Sequence, residues 1–189
     1  RMPRVESARG LDFAIAGVPF DTACSYRTGA RFGPQAIRAI SAMIKPNNVI
    51  QQVNIMEDLR GGDMGDFPIV PGYIHPTYAA IEAGMTSILD EGAVPIVLGG
   101  DHSITLGELR AVAKKHGPVA LLHFDSHSDL CDEVFGEKYN HGTPFRRALE
   151  EGLIDASHSV QVGMRGSLYD PNEHQMAADL GMLLIPSHK

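Results

Sequence analysis

Two short apolar runs in this chain each end in groups that bind metal ions. The first, Val94-Pro95-Ile96-Val97-Leu98, gives way to Gly99-Gly100-Asp101-His102-Ser103. The second, Val119-Ala120-Leu121-Leu122-His123-Phe124, gives way to Asp125-Ser126-His127-Ser128-Asp129. Side chains alternate faces along an extended backbone, so His123, Asp125, His127 and Asp129 are expected on one side and Phe124, Ser126 and Ser128 on the other. Two carboxylates and an imidazole on one face repel or compete unless a cation lies between them. Oxygen-rich ligation with some imidazole and no thiolate suits Mn²⁺. A carboxylate has two oxygens, so Asp125 or Asp129 could bridge two ions about 3.5–4 Å apart that share a hydroxide and polarise a substrate.

A lone histidine or aspartate at a strand end more often caps a helix or turns a loop. Here DxHxD follows one apolar run and Gly-Gly-Asp-His follows another, and that pairing favours ligation by His102, Asp125, His127 and Asp129. His123 reads instead as a core or supporting histidine. Asp101 reads as the cap of a helix beginning at Ser103. Downstream, Asn140-His141-Gly142-Thr143 puts a histidine beside a glycine in a loop. Imidazole titrates near neutrality, so His141 is the candidate for proton transfer, set against the plainer reading of a solvated loop histidine. Arg27, Arg31 and Arg38 read as surface or ion-pair residues, and Arg165 as a loop anchor. Tyr139 and Glu137 could line a pocket mouth, and the remaining histidines read as structural.

The elements that must position these groups alternate. Leu11–Gly17 reads as a buried strand, and Pro34 opens a helix with a stripe of Ala36, Ile37, Ile40 and Ile44. Lys45–Asn54 reads as irregular, and a short strand is expected within Glu57–Phe67. A helix from His75 or Pro76 stops at Glu91-Gly92. Val94–Leu98 is a strand, Ser103–Lys115 a helix, Val119–Phe124 a strand, and Pro144–Glu150 a helix. Ser159–Gly163, Asn172–Leu180 and Met182–Ile185 complete the series as strand, helix and strand. Such alternation predicts a parallel sheet covered by helices on both faces. Ligands to such a sheet gather beyond the carboxyl ends of its strands, where both metal-binding runs emerge.

With 189 residues, 43% hydrophobic and 21% charged, the chain is ordinary globular material with enough length for one core. A net charge of -7 offers no basic face for nucleic acid. The longest apolar run, Ala93–Leu98, is far too short for a membrane span. Two cysteines, Cys24 and Cys131, make no disulfide framework and suit a reducing compartment, the cytoplasm in the first place. The opening Arg1-Met2-Pro3-Arg4 has no apolar segment of the signal-peptide kind.

Three of these stretches, Gly99–Ser103, His123–Asp129 and Asn140-His141-Gly142-Thr143-Pro144-Phe145, resemble the ureohydrolase (arginase/agmatinase) family, most closely its agmatinase branch. Gly29–Arg38 (GARFGPQAIR) and Gln161–Gly166 (QVGMRG) are similar to its other signatures, so the resemblance runs from about Gly17 to Ile185 in five motifs. It implies a three-layer arginase-like α/β fold and hydrolysis of a guanidinium to urea and an amine at two manganese ions. It further implies that His102 ligates one metal, His127 the other, that Asp125 bridges them and Asp129 contributes to the first. A bridging hydroxide would attack the guanidinium carbon, and His141 would relay a proton to the leaving amine. Agmatine is the favoured substrate, with a guanidinobutyrase or other guanidino-acid hydrolase as the alternative. A homo-oligomer, trimer or hexamer, is the assembly implied.

One departure matters. The family completes its metal site with a DxDxxDP motif and holds the guanidinium with a later Glu, and neither occurs here. After His141 the aspartates are Asp155, Asp170 and Asp179, with no D-x-D pair. The expectation is therefore one ureohydrolase-like domain over residues 1–189, incomplete at its C-terminal side, with a sheet edge and part of the core exposed. Two rival readings follow: an inactive ureohydrolase-like binding module, and a one-zinc deacetylase of related fold.

Overall fold

A computed structural model describes residues 2–168 and 170–189. Strands and helices alternate as expected. The strands are β1 (Phe13–Val18), β2 (Asn47–Asn48), β3 (Val53–Asn54), β4 (Gly61–Asp66), β5 (Val94–Gly99), β6 (Leu122–Phe124), β7 (Val160–Met164) and β8 (Leu183–Pro186). The helices are α1 (Gly33–Ile40), α2 (Ile55–Asp58), α3 (Ile74–Asp90), α4 (Thr105–His116), α5 (Pro144–Glu150) and α6 (Glu173–Asp179). Pro34 opens α1 and Pro144 opens α5, where a missing N–H costs nothing. Gly117, at φ +79°, ends α4.

β1 is the middle strand of a parallel sheet, flanked by β4 and β5. Its Ala14, Ala16 and Val18 are fully buried among Tyr78, Ile81 and Met85 of α3 and Leu106 of α4. Small residues on that face let the helices approach closely. The same logic holds where α4 crosses α3: a Cβ on Gly107 would sit 3.0 Å from that of Ile81. The opposite face of β1 looks toward α1, where Gly17 leaves room for the Arg38–Asp66 ion pair. Helices thus lie on both faces of the sheet, as the alternation required.

The remaining strands form a second parallel sheet, β6-β7-β8, and the two-residue strands β2 and β3 form an antiparallel ribbon where an irregular stretch was expected. Among the described residues no pairing joins β5 to β6. Both are edge strands, and apolar side chains on them stand in solvent: Val94 and Ile96 on β5, Leu122 and Phe124 on β6. A parallel sheet normally has both faces covered, so this exposure matches the incomplete sheet expected from the sequence. One buried cluster nevertheless extends from Ala14 in the first sheet and Ile81 of α3 to Phe145, Ile154 and Met182 beside the second. No helix of the described residues is long and apolar enough to cross a membrane.

Candidate metal centre

β5 and β6 deliver their chemistry through two different loops. After β5 the chain turns at Gly100 and runs under the end of β1, with the Asp101 N–H donating to the Phe20 carbonyl at 2.8 Å. The buried Asp101 carboxylate accepts from the Ser103 N–H at 2.9 Å and from the Ala23 N–H at 3.0 Å. It therefore caps the short helix that His102 begins, the role expected for it, and also grips the loop after β1. Burial pushes its carboxyl up, against those hydrogen bonds.

After β6 the chain does not stay extended. One oxygen of Asp125, Oδ1, accepts from the backbone N–H of Ser126 (2.5 Å) and of His127 (3.0 Å), which bends the chain at once. Asp129 then takes a left-handed backbone, φ +52°. Strict alternation therefore fails beyond Phe124. Asp129 swings inward and hydrogen-bonds Nδ1 of His102 through Oδ2. Asp125 turns its free oxygen, Oδ2, to the same place, 3.9 Å from His102 Nδ1 and 3.5 Å from His123 Nε2. His127 goes outward: its side chain is 71% exposed, and its Nδ1 lies 3.5 Å from the other Asp125 oxygen.

His102, His123, Asp125 and Asp129 thus offer four ligand atoms within 4.8 Å of one another. Two imidazoles and two carboxylates so close fit a divalent cation, because the carboxylates otherwise face each other with only a proton to share. Burial opposes charge on His102, but its hydrogen bond to Asp129 and the charges of Asp129, Asp125 and Glu108 outweigh it and move its pKa upward. Burial, then the neighbouring His102, push His123 down. Burial likewise raises Asp125, yet the His127 and Ser126 N–H groups and the two histidines bring it below the usual carboxylate range. Glu108, behind His102, is driven up to about 7 by burial. His123, read from sequence as a supporting residue, stands inside the cluster, whereas His127 stands at its rim.

His141 is placed by the loop after β1. Its N–H donates to the Ala23 carbonyl (3.3 Å), and its Nε2 lies 3.0 Å from Ser25 Oγ. Asn140 stiffens the turn, donating to the Glu137 carbonyl (2.8 Å) and accepting from the Gly142 N–H (2.9 Å). One loop is therefore held by Asp101 on one side and holds His141 on the other. Ser25 was not legible as part of this, since a serine in a polar loop carries no pattern. Arg31 pairs with Asp21 and Arg38 with Asp63 and Asp66, as expected; the backbone N–H of Arg165 donates to the Ser126 carbonyl at 3.0 Å, and its guanidinium to the Gly163 carbonyl at 2.9 Å. Tyr139 packs edge-on against His75, 4.7 Å between ring centres.

Asp21 ties that loop together and gives a pH prediction. It is fully buried and accepts from the Gly29 N–H (2.6 Å), the Arg31 N–H (3.1 Å) and Arg31 Nε (2.6 Å). The Arg31 side-chain hydrogen bond, against burial, holds its carboxyl below the usual value. An acid with a lowered folded pKa adds stability above its unfolded pKa and loses it as pH falls through the folded one. Asp21→Asn is therefore expected to cost about 2 kcal/mol at pH 7. The gap from the unsubstituted chain should narrow as acid carries the pH below the ordinary aspartate range and through the lowered folded value, as urea denaturation at pH 7 and in acid would show.

Two parallel sheets thus bring imidazole and carboxylate groups together beyond the carboxyl ends of β5 and β6, a constellation that could hold a divalent cation. The arginase family model matches residues 11–189, and the chain belongs to that family. It is 46% identical over 189 residues to the mitochondrial agmatinase of Gallus gallus, covering all of this chain and 56% of that protein. It is 42% identical over 192 residues to the guanidinobutyrase of Pseudomonas aeruginosa, covering all of this chain and 60% of that one. Among solved structures, proclavaminate amidino hydrolase from Streptomyces clavuligerus superposes with a TM-score of 0.93 at 37% identity, over all of this chain and 62% of that one. The chain thus spans a little over half the length of these relatives.

Proposed function

We propose that this chain is part of a manganese hydrolase that cleaves a guanidino compound, agmatine in the first place, to urea and an amine. The observation that carries the reading is the convergence of His102, Asp125 and Asp129 from two separate loops. Oxygen and imidazole donors without thiolate favour manganese. Asp125 presents one oxygen to His102 and the other to His127, so His102, Asp125 and Asp129 would hold one ion, and Asp125 with His127 would help to hold a second. When bound, such ions supply an activated water nucleophile and offset developing charge. The chain's own anionic groups would draw in the cationic guanidinium. His141, held by Ser25 and the Ala23 carbonyl, would pass a proton to the leaving amine.

In this reading residues 1–189 are the N-terminal part of one ureohydrolase-like domain, and carboxylates that these residues do not include complete the centre. Guanidinobutyrate is the second substrate, supported by the likeness to the Pseudomonas relative. Exposed Phe32, Ile37, Ile40, Met43 and Ile44 support self-association into the trimer or hexamer expected, which light scattering would measure. Free Cys24 and Cys131 support a reducing compartment such as the cytoplasm. The test is urea release by the protein as the cell makes it, with Mn²⁺, from agmatine and from 4-guanidinobutyrate. Turnover is expected, highest with agmatine and lost on chelation. No urea from any guanidino compound would remove the reading.

A further inference from the structure

Beneath the metal-binding loop, His123 of β6 and Gln161 of β7 are register partners, and both are buried. The amide nitrogen of Gln161 lies 2.6 Å from the Ser128 carbonyl oxygen and 3.1 Å from His123 Nδ1. A carbonyl oxygen only accepts. It therefore decides which end of the amide faces it, because turning the group over would set two oxygens against each other. A primary amide has two hydrogens. With one on Ser128, the other points at His123 Nδ1, which must then offer a lone pair. A neutral imidazole has a single N–H, so that hydrogen is left to Nε2. Nε2 is buried with no other partner, and Asp125 Oδ2 lies 3.5 Å away.

We infer that His123 is a positioning donor to Asp125 and not a metal ligand, held in its Nε2–H form by Gln161. A nitrogen that bears a proton has no lone pair for a cation, so His123 steadies the Asp125 oxygen that takes part in ligation. Gln161 at the same time tethers the Ser128 carbonyl, one residue before Asp129, and so fixes the loop from below. Its location between Val160 and Val162, a polar residue inside an apolar strand, is the sequence signal that marks it. The inference rests on the metal-centre reading above.

The test uses ¹⁵N-histidine NMR on the unsubstituted protein, metal-free and then titrated with Zn²⁺. His123 is expected as the Nε2–H tautomer throughout, while the His102 ring nitrogens shift as the ion binds. A His123 hydrogen on Nδ1, or a coordination shift at its Nε2, would overturn the inference. Gln161→Glu should move the ring hydrogen to Nδ1 and weaken Mn²⁺ binding by about 10–100-fold; unchanged affinity would overturn the positioning role. If that variant does not fold, His123→Gln serves in its place. It keeps an N–H for Asp125 and should retain Mn²⁺ affinity within a few-fold, whereas loss of binding altogether would mark a ligand. If no cation binds to the unsubstituted protein, the metal-centre reading fails, and the metal-free tautomer still decides the Gln161–His123 link.

Discussion

Asp129→Asn is expected to weaken Mn²⁺ binding at least about 100-fold, more than the loss usual for residues that only support a ligand. Asparagine keeps the shape of the side chain and tolerates the left-handed backbone that Asp129 adopts at φ +52°. Only the charge and one anionic oxygen are removed. That carboxylate is nearly buried, 8% exposed, and faces His102 directly. Without it the cation would keep the carboxylate of Asp125 alone of the two that face His102, in a place where water cannot substitute freely. Calorimetric titration gives the affinity. Asp90→Asn, at a surface pair with Lys115 3.1 Å away, is the control and should leave it unchanged.

Gly100→Ala is expected to cost about 3 kcal/mol of folding stability. Gly100 sits at φ +21°, and a Cβ there would lie 2.5 Å from the Val18 carbonyl oxygen and collide with that of Phe20 as well. Neither obstacle is a flexible side chain. Both belong to the backbone at the end of β1, so the loop or the strand must move. For a chain of this length the melting temperature should fall by roughly 10 °C. Because His102 is two residues on, Mn²⁺ affinity should fall in the same variant. Gly117→Ala separates crowding from backbone preference, since Gly117 also has positive φ but open space around its Cβ position. With φ +79° and ψ -175° Gly117 lies where essentially only glycine goes, so Gly117→Ala should cost about 1–3 kcal/mol through the backbone alone and leave Mn²⁺ affinity unchanged.

Much of this arrangement was legible because apolar runs and glycine or proline punctuation reflect burial directly. Val94–Leu98 and Pro144–Glu150 were read almost to the residue, and β1 was displaced by one or two. The ribbon β2–β3 was not legible, since two-residue strands have no period to detect. At the site, types and spacing pointed to His102, Asp125, His127 and Asp129 together, and the expected alternation misjudged how the loop runs. Alternation assumes extended backbone, and here Asp125 folds its own oxygen back onto the next two N–H groups. That local hydrogen bond sends His127 to the rim and brings Asp129 inward. A contact between distant segments, such as Ser25 with His141, leaves no trace in spacing at all, and Gln161 is marked only as a polar residue in an apolar strand, without its partners.

The most direct test is a crystal of the protein grown with Mn²⁺ and measured at the manganese absorption edge. An anomalous peak is expected within ligand distance of His102 Nδ1, Asp125 and Asp129. An ordered protein with no peak between those three side chains, or with its manganese bound elsewhere, would contradict the account.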